Sequence, residues 1–579
     1  MITMVNTVRG PDGARSRGWL ERPDPNQELA NARVWLPSHH APTMCKAILT
    51  ATVRLTRRGL LGRAFAGAAV LAGAGVSGAR GSTSVVRNLS VRNASRAFVG
   101  DRRLFATISP RSGGGRAGAI VDLVAERPLD ATLEVVSRNG VGAALIASQP
   151  VPLVAGSNQI PWAPGPSLKP GSYILRLRDL EATPAQVLGS AVVRIMDVEA
   201  TFRRRSALPG ETVTLTVQTD APWLRLTLLQ CGPEDGPTNS NYEMRGIPVG
   251  APKRIDLAGR QGRPTSVPVT LAAPSSGLYA ARLDGPSGHV GFAPLVVRPP
   301  APAQRIAVVL PTTTWQAYNY YDRNGDGFGD TWYSLFAEKR IDLTRPHLRR
   351  GVPERFRSYD VQFLHWLASR GHAVDTYADE DIELFSSPQA LRAAYDLIVF
   401  PGHTEYVTPR LYDQIEGYRD LGGRLIFLSA NNFFRHVRRT GDEARLIGEW
   451  RNEGRPESAL LGNQYLANDS GQHQQPFTVV GADSAAWLFA GTGLANGSQF
   501  GRYGIEIDAT TVHSPPGTQV LATIPDLLGP GRTAEMTYYE LPNGAAVFSA
   551  GVLNFGGTVM LWRETGLLLD NVWARLAPG

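Results

Sequence analysis

His403, Thr404, Glu405 and Tyr406 place an imidazole, a hydroxyl, a carboxylate and a phenol within four consecutive residues. They follow the apolar run Leu397 to Phe400 and the turn Pro401-Gly402. Imidazole can carry a proton near neutral pH. Carboxylate and phenolate are hard anionic oxygen donors that a metal ion can use. A second apolar run, Arg424 to Leu428, ends just before Asn431 and Asn432. Polar groups beyond the carboxyl ends of consecutive buried strands lie where open α/β sheets bind ligands.

The elements that must position these groups form an alternating pattern from Arg305 onward. Ile306 to Leu310, Ala373 to Tyr377, Leu397 to Phe400 and Arg424 to Leu428 read as buried strands. Asp360 to Ser369, Gln389 to Tyr395 and Pro409 to Leu421 read as helices between them, which predicts a doubly wound parallel sheet over residues 303–579. Past residue 440 the pattern weakens; Glu535 to Glu540 and Gly544 to Ser549 read as paired strands and Asp570 to Leu576 as a closing helix. Upstream, residues 84–195 and 196–298 are rich in short alternating strands. The run from Pro170 to Arg178 is echoed by Ser275 to Leu283. The echo predicts two immunoglobulin-like β-sandwich regions, or one enlarged sandwich-like assembly, followed by the stiff linker Pro299 to Pro302.

Residues 1–80 read as a leader. Arg57-Arg58 precede the weakly apolar stretch AFAGAAVLAGAGVSG, in the pattern of a twin-arginine (Tat) export signal. That stretch is too short for a stable membrane span. Met44 is an alternative start. Export to the periplasm or the exterior is the expected destination. Residues 1–79 hold ten of the 59 Lys/Arg and four of the 51 Asp/Glu, leaving 49 against 47. The basic balance therefore belongs to the leader, and nucleic acid is not an expected partner. Of two cysteines, Cys45 lies in the leader and Cys231 stands alone, so the mature chain has no internal disulfide.

From about residue 270 the chain resembles the large-subunit family of N,N-dimethylformamidase. The pieces that carry the resemblance are Thr314 to Asn319, Gly402 to Tyr406, Gly422 to Leu425, Ser429 to Phe434, Val547 to Gly551 and Asp570 to Val572. The resemblance implies a class I glutamine-amidotransferase-like α/β domain. No cysteine follows Phe400, where an amidotransferase carries its nucleophile, so glutaminase chemistry is not expected. It further implies a mononuclear ferric centre held by two tyrosines and one glutamate. Carried over, these fall on Tyr279, Tyr318 (with Tyr320 the alternative) and Glu405, with His403 and Asn431 as further site residues. Such an ion polarises an amide carbonyl and lowers the pKa of bound water. A linear amide of small size is the implied substrate, hydrolysed at its C–N bond.

The segment after Tyr321 departs from the family. Asp322, Asn324, Asp326, Phe328 and Asp330 match positions one, three, five, seven and nine of a calcium loop, but position twelve is Tyr333 and not glutamate. Calcium is a candidate ligand there, and an Asp/Asn/Gly turn the plainer reading. Self-association and a separate small subunit both stay open. The alternative to an enzyme is an exported ligand- or carbohydrate-binding protein on the same fold.

Overall fold

The computed structural model describes residues 85–93, 106–108, 110, 117–137, 144–165, 168–235, 240–321, 323, 329–333, 339–469 and 471–578. The leader and its twin arginines lie outside them.

Two β-structures of the same plan follow one another. In the first, Val86–Asn93, Ala119–Ala125 and Gly156–Trp162 form a three-stranded sheet facing a five-stranded one. The larger sheet runs in the order Ala106–Ile108, Gln186–Ile195, Gly171–Asp179, Leu129–Ser137, Leu145–Leu153. Strand Ala119–Ala125 alternates buried and half-buried positions, as a pleated strand with one face on the core must. Its Val121 and Leu123 meet Leu133, Val135, Leu175 and Leu177 of the opposite sheet.

The second repeats this arrangement. A three-stranded sheet (Thr265–Thr270, Thr212–Gln218, Glu199–Phe202) faces a five-stranded one, in the order Ser206–Ala207, Val290–Val297, Gly277–Asp284, Trp223–Gln230, Ile247–Asp256. The echo in the sequence has a structural counterpart. Tyr173 Oη donates to the carbonyl of Lys169 at 2.9 Å, and Tyr279 Oη to that of Ser275 at 2.9 Å. Both are corner hydrogen bonds that reach back four residues.

In the five-stranded sheet of this second unit, the strands Gly277–Asp284 and Val290–Val297 pack against a core on each face. Along Gly277–Asp284, Tyr279, Ala281 and Leu283 point into the sandwich core, while Leu278 and Ala280 join the core of the α/β region. Phe292 and Val296 do the same on the next strand. Polar links fasten the junction. Arg205 pairs with Glu380, Ser206 Oγ donates to Asp381 at 2.6 Å, Tyr321 Oη donates to Glu199 at 2.9 Å, and Arg350 meets Asp197 at 2.7 Å.

The α/β region is built on a nine-stranded sheet. Asp375–Ala378, Ile306–Leu310, Leu397–Phe400, Arg424–Phe427 and Ala546–Ser549 are parallel neighbours in that order. Helices cover both faces. Val361–Ser369 and Arg563–Leu576 share a core with Val308 and Val399; Pro388–Ala394 and Pro409–Asp420 share one with Ala307 and Ile398. Strands buried on both sides read as continuous apolar runs, which is why this half was visible in the sequence. Ser387 and Thr408 cap their helices by accepting from Ala390 N and Leu411 N, each with proline at the first helical position.

The expectation of a parallel sheet holds for these five strands only. Ala534–Glu540, Gln519–Ile524, Gln474–Val479 and Gln499–Gly504 continue the sheet antiparallel. Adjacent antiparallel strands need no helical crossover, so this extension lacks the strand–helix rhythm that marks the parallel half. The closing helix begins at Arg563, earlier than the sequence suggested.

A candidate active site at the carboxyl ends of the parallel strands

Strand Ile306–Leu310 leads into the short helix Thr312–Ala317, and Tyr318 sits at its C-terminal end. Strand Leu397–Phe400 leads into Pro401-Gly402 and then His403 to Tyr406. The helix fixes the second segment directly. Thr314 Oγ1 accepts from the backbone N–H of Glu405 at 3.1 Å and of Tyr406 at 3.4 Å. The segment after the next strand closes over both. Thr404 N donates to Asn432 Oδ1 at 2.9 Å, Phe433 N to Thr404 O at 2.8 Å, and Arg435 N to Glu405 O at 2.9 Å.

This scaffold brings four of the expected residues together. The Tyr318 hydroxyl donates to Glu405 Oε2 at 2.8 Å. His403 Nε2 lies 3.6 Å from that carboxylate oxygen and 3.5 Å from Glu506 Oε2. Asn431 Nδ2 donates to Glu506 Oε2 at 2.7 Å, and Asn431 N to Asp508 Oδ1 at 2.9 Å. His403, Glu405, Asn431, Glu506 and Asp508 are buried, while Tyr318 is partly exposed.

Burial governs the electrostatics. Desolvation holds the Glu405 carboxyl above the carboxylate range, opposed by the Tyr318 phenol and the Arg435 guanidinium. Desolvation and the nearby Glu405 anion raise Glu506, and burial raises Asp508 to about 7. Desolvation pushes the Tyr318 phenol well above its usual value, and the two glutamates add to the push. It lowers His403 to about 3, so its imidazole is neutral. Among the described residues its Nε2 has no hydrogen-bond partner.

The backbone is strained at the same place. Asn431 and Phe433 have φ of 54° and 59°, and Ile505, directly before Glu506, has φ of 73°. Positive φ at a β-branched residue is an outlier. Such conformations cost about 1–3 kcal/mol each and gather at functional sites.

Tyr279 is not in this cluster, which corrects what the resemblance implied. The pleat turns it to the sandwich side of its sheet, away from the α/β region, and its hydroxyl is engaged by Ser275. Tyr320 directs its hydroxyl to the carbonyl of Tyr333 at 3.1 Å, so Tyr318 is the tyrosine that meets Glu405. Within the proposed calcium loop, Asp322, Asn324, Asp326 and Phe328 lie outside the described residues; Asp330 Oδ2 accepts from the backbone of Arg323 at 2.8 Å. Arg435, Glu506 and Asp508 were missed as site members, and Tyr406 stood out only as part of the run His403 to Tyr406. The alternation in Gly504 to Asp508, two acids flanked by isoleucines, was the available sign of carboxylates on one face of a buried strand.

Among the described residues no group of three His, Cys, Asp or Glu side chains is arranged to hold a metal. No helix among them is long and apolar enough to cross a membrane.

No curated protein matches the chain. Among solved structures, red sea bream transglutaminase is 14% identical, covering 36% of this chain and 31% of its own, with a TM-score of 0.19. Salmonella alpha-2-macroglobulin reacted with methylamine is 8% identical over 37% of this chain and 17% of its own, with a TM-score of 0.18. The chain thus spans under a third of the length of either, and likeness this slight carries no argument. The profile described as "N,N-dimethylformamidase beta subunit-like, C-terminal" matches residues 263–565, more than half of the chain and all of the cluster built above. On that match the chain belongs to the N,N-dimethylformamidase beta subunit-like family.

Proposed function

We propose that the cluster around Glu405 is the catalytic centre of a hydrolase that cleaves amide-like C–N bonds in small molecules. One observation carries this reading. The Tyr318 hydroxyl meets Glu405 at 2.8 Å, with the unpartnered His403 Nε2 facing both Glu405 and Glu506. Family membership supports the reaction class.

The donor set fits a cation. Two carboxyls and a phenol crowd one buried place, all raised by desolvation, beside an imidazole nitrogen without a partner. The resemblance implies ferric iron held by two tyrosines and a glutamate. Here Tyr318 and Glu405 would hold it. Tyr406, whose phenol also acts on the Glu405 carboxyl, is the second phenol at hand in place of Tyr279. Bound there, iron would supply a Lewis acid for the amide carbonyl.

The chain's own groups account for the protons. His403, neutral and anchored to the Asn431 backbone, presents a lone pair that orients the attacking water. Glu506, held by Asn431 Nδ2, takes the water proton as the C–O bond forms. It returns that proton to the nitrogen as the C–N bond breaks. Its raised pKa suits both transfers near neutral pH.

The wider reading goes with this one. Residues 1–80 are a Tat leader, 84–195 and 196–298 immunoglobulin-like sandwiches, and 303–579 a glutamine-amidotransferase-like domain. The paired corner tyrosines and the five parallel strands support the last three. The test is metal analysis of the purified protein together with amine release from N,N-dimethylformamide. Glu405→Ala should lose iron, whereas Glu506→Gln should keep iron and lose turnover. A protein that binds no stoichiometric iron after reconstitution and releases no amine returns the ligand-binding alternative.

A further inference from the structure

We infer that Tyr333 is the outer wall of this site and sets the size of amide it admits; the inference rests on the amide-hydrolase reading above. The cluster is closed by buried groups on most sides: Thr314, His403, Glu405, Tyr406, Asn431 and Glu506. Tyr318 is the member that reaches the surface, and the Tyr333 ring stacks on it at 4.8 Å with 28° between the planes. Tyr333 is itself 42% exposed. The Tyr333 ring thus covers one face of the half-buried Tyr318 ring. Arg435, the other half-exposed neighbour of Glu405, has its guanidinium tied to Glu449 at 2.7 Å.

Tyr333 is built into place. Thr331 Oγ1 donates to the carbonyl of Ala317 at 2.8 Å, and Trp332 N donates to the same carbonyl at 3.0 Å. The Trp332 ring lies against Tyr406 at 5.0 Å. Tyr333 N donates back to Thr331 Oγ1 at 3.1 Å, and its carbonyl accepts from Tyr320 Oη at 3.1 Å. The strap is thus pinned to the helix that ends in Tyr318, and the ring is held over the phenol. An aromatic wall favours small apolar substituents on the amide and excludes long ones.

The experiment compares wild type with Tyr333→Ala, Tyr333→Leu and Tyr333→Trp on N,N-dimethyl-, N,N-diethyl- and N,N-dibutylformamide. Two quantities are read: kcat/KM for each amide, and the thermal shift each produces, since ligand binding stabilises the fold with or without turnover. Tyr333→Ala and Tyr333→Leu should raise the dibutyl-to-dimethyl ratio of kcat/KM by about tenfold or more, in line with the selectivity a single methylene can produce in a pocket. They should also create a thermal shift with dibutylformamide. Tyr333→Trp should lower the ratio. A wild type that responds to dimethylformamide with a size ranking unchanged in all three variants overturns the role of Tyr333 and leaves the hydrolase reading standing. No response to any amide in any protein, by turnover or by thermal shift, overturns both.

Discussion

Tyr279 and Tyr318 occupy two regions of the molecule and use one hydroxyl in two ways. Tyr279 lies in the corner of the second sandwich and donates to a backbone carbonyl. Tyr318 lies at the end of a helix beyond a parallel strand and donates to a buried carboxylate. The first contact joins two neutral groups and closes a turn. The second places a phenol against an acid in a site crowded with other acids. What separates them is the face of the element each stands on and what waits there. The resemblance, which put both in one metal site, does not register that difference.

The largest expected effect sharpens this contrast. Tyr318→Phe should cut amide turnover by more than about 100-fold and weaken any tyrosinate-to-iron colour, while the fold survives the loss of one hydroxyl. Tyr279→Phe should leave both readouts near wild type. Steady-state kinetics and the visible spectrum of the two variants decide it. A Tyr279→Phe protein that loses its colour would return Tyr279 to the site and break the comparison.

A second expectation concerns the turn beneath the site. Asp360 is buried, one of its carboxyl oxygens has no hydrogen-bond partner among the described residues, and burial, opposed by the Trp315 indole, pushes its pKa to about 8. A Cβ at Gly402 would run into that carboxyl, so the glycine and the acid are fitted to one another. Below about pH 4 the carboxyl is protonated in both folded and unfolded chains and contributes no pH dependence. From about pH 4 to about 8 the unfolded chain releases the proton and the native state keeps it. Stability is lost across that window by about 1.4 kcal/mol per pH unit. Asp360→Asn removes this dependence, so its stability relative to wild type should rise by about 3 kcal/mol between pH 5 and pH 7. Urea unfolding at the two pH values measures the change; parallel curves would mean that Asp360 ionises normally in the folded protein.

Much of the α/β region was legible before the structure. Strands Ile306–Leu310 and Leu397–Phe400 are apolar throughout because helices cover both faces of their sheet. Ser387-Pro388 and Thr408-Pro409 announce helix starts through capping chemistry local to the sequence. His403, Glu405 and Asn431 stood out because they follow such strands. Glu506 and Asp508 did not. They sit on the short strand Glu506–Ala509, whose partner Gln464–Asn468 is about 40 residues away in the chain, and Glu506 meets His403, and Asp508 the Asn431 backbone, only through the tertiary fold. Tyr279 was misplaced although the sign was present. Leu278, Tyr279 and Ala280 alternate faces, so a sheet with cores on both sides must send the tyrosine opposite to its neighbours.

The smallest expected effect tests whether the two sandwich corners are equivalent. Tyr173 and Tyr279 are both buried, and each donates over four residues to a carbonyl at 2.9 Å. Their acceptors, Lys169 and Ser275, are exposed, so water can replace the lost hydroxyl at either carbonyl. The cost of Tyr→Phe should therefore stay near the low end for a hydrogen bond, about 0.5–1 kcal/mol at each position. Equilibrium unfolding of the two single variants and the double variant measures it. The two losses should be alike and additive, because each corner belongs to its own core. A loss above about 3 kcal/mol at Tyr279 alone would show that its hydroxyl does more than close a corner, and would end the equivalence on which its exclusion from the site partly stands.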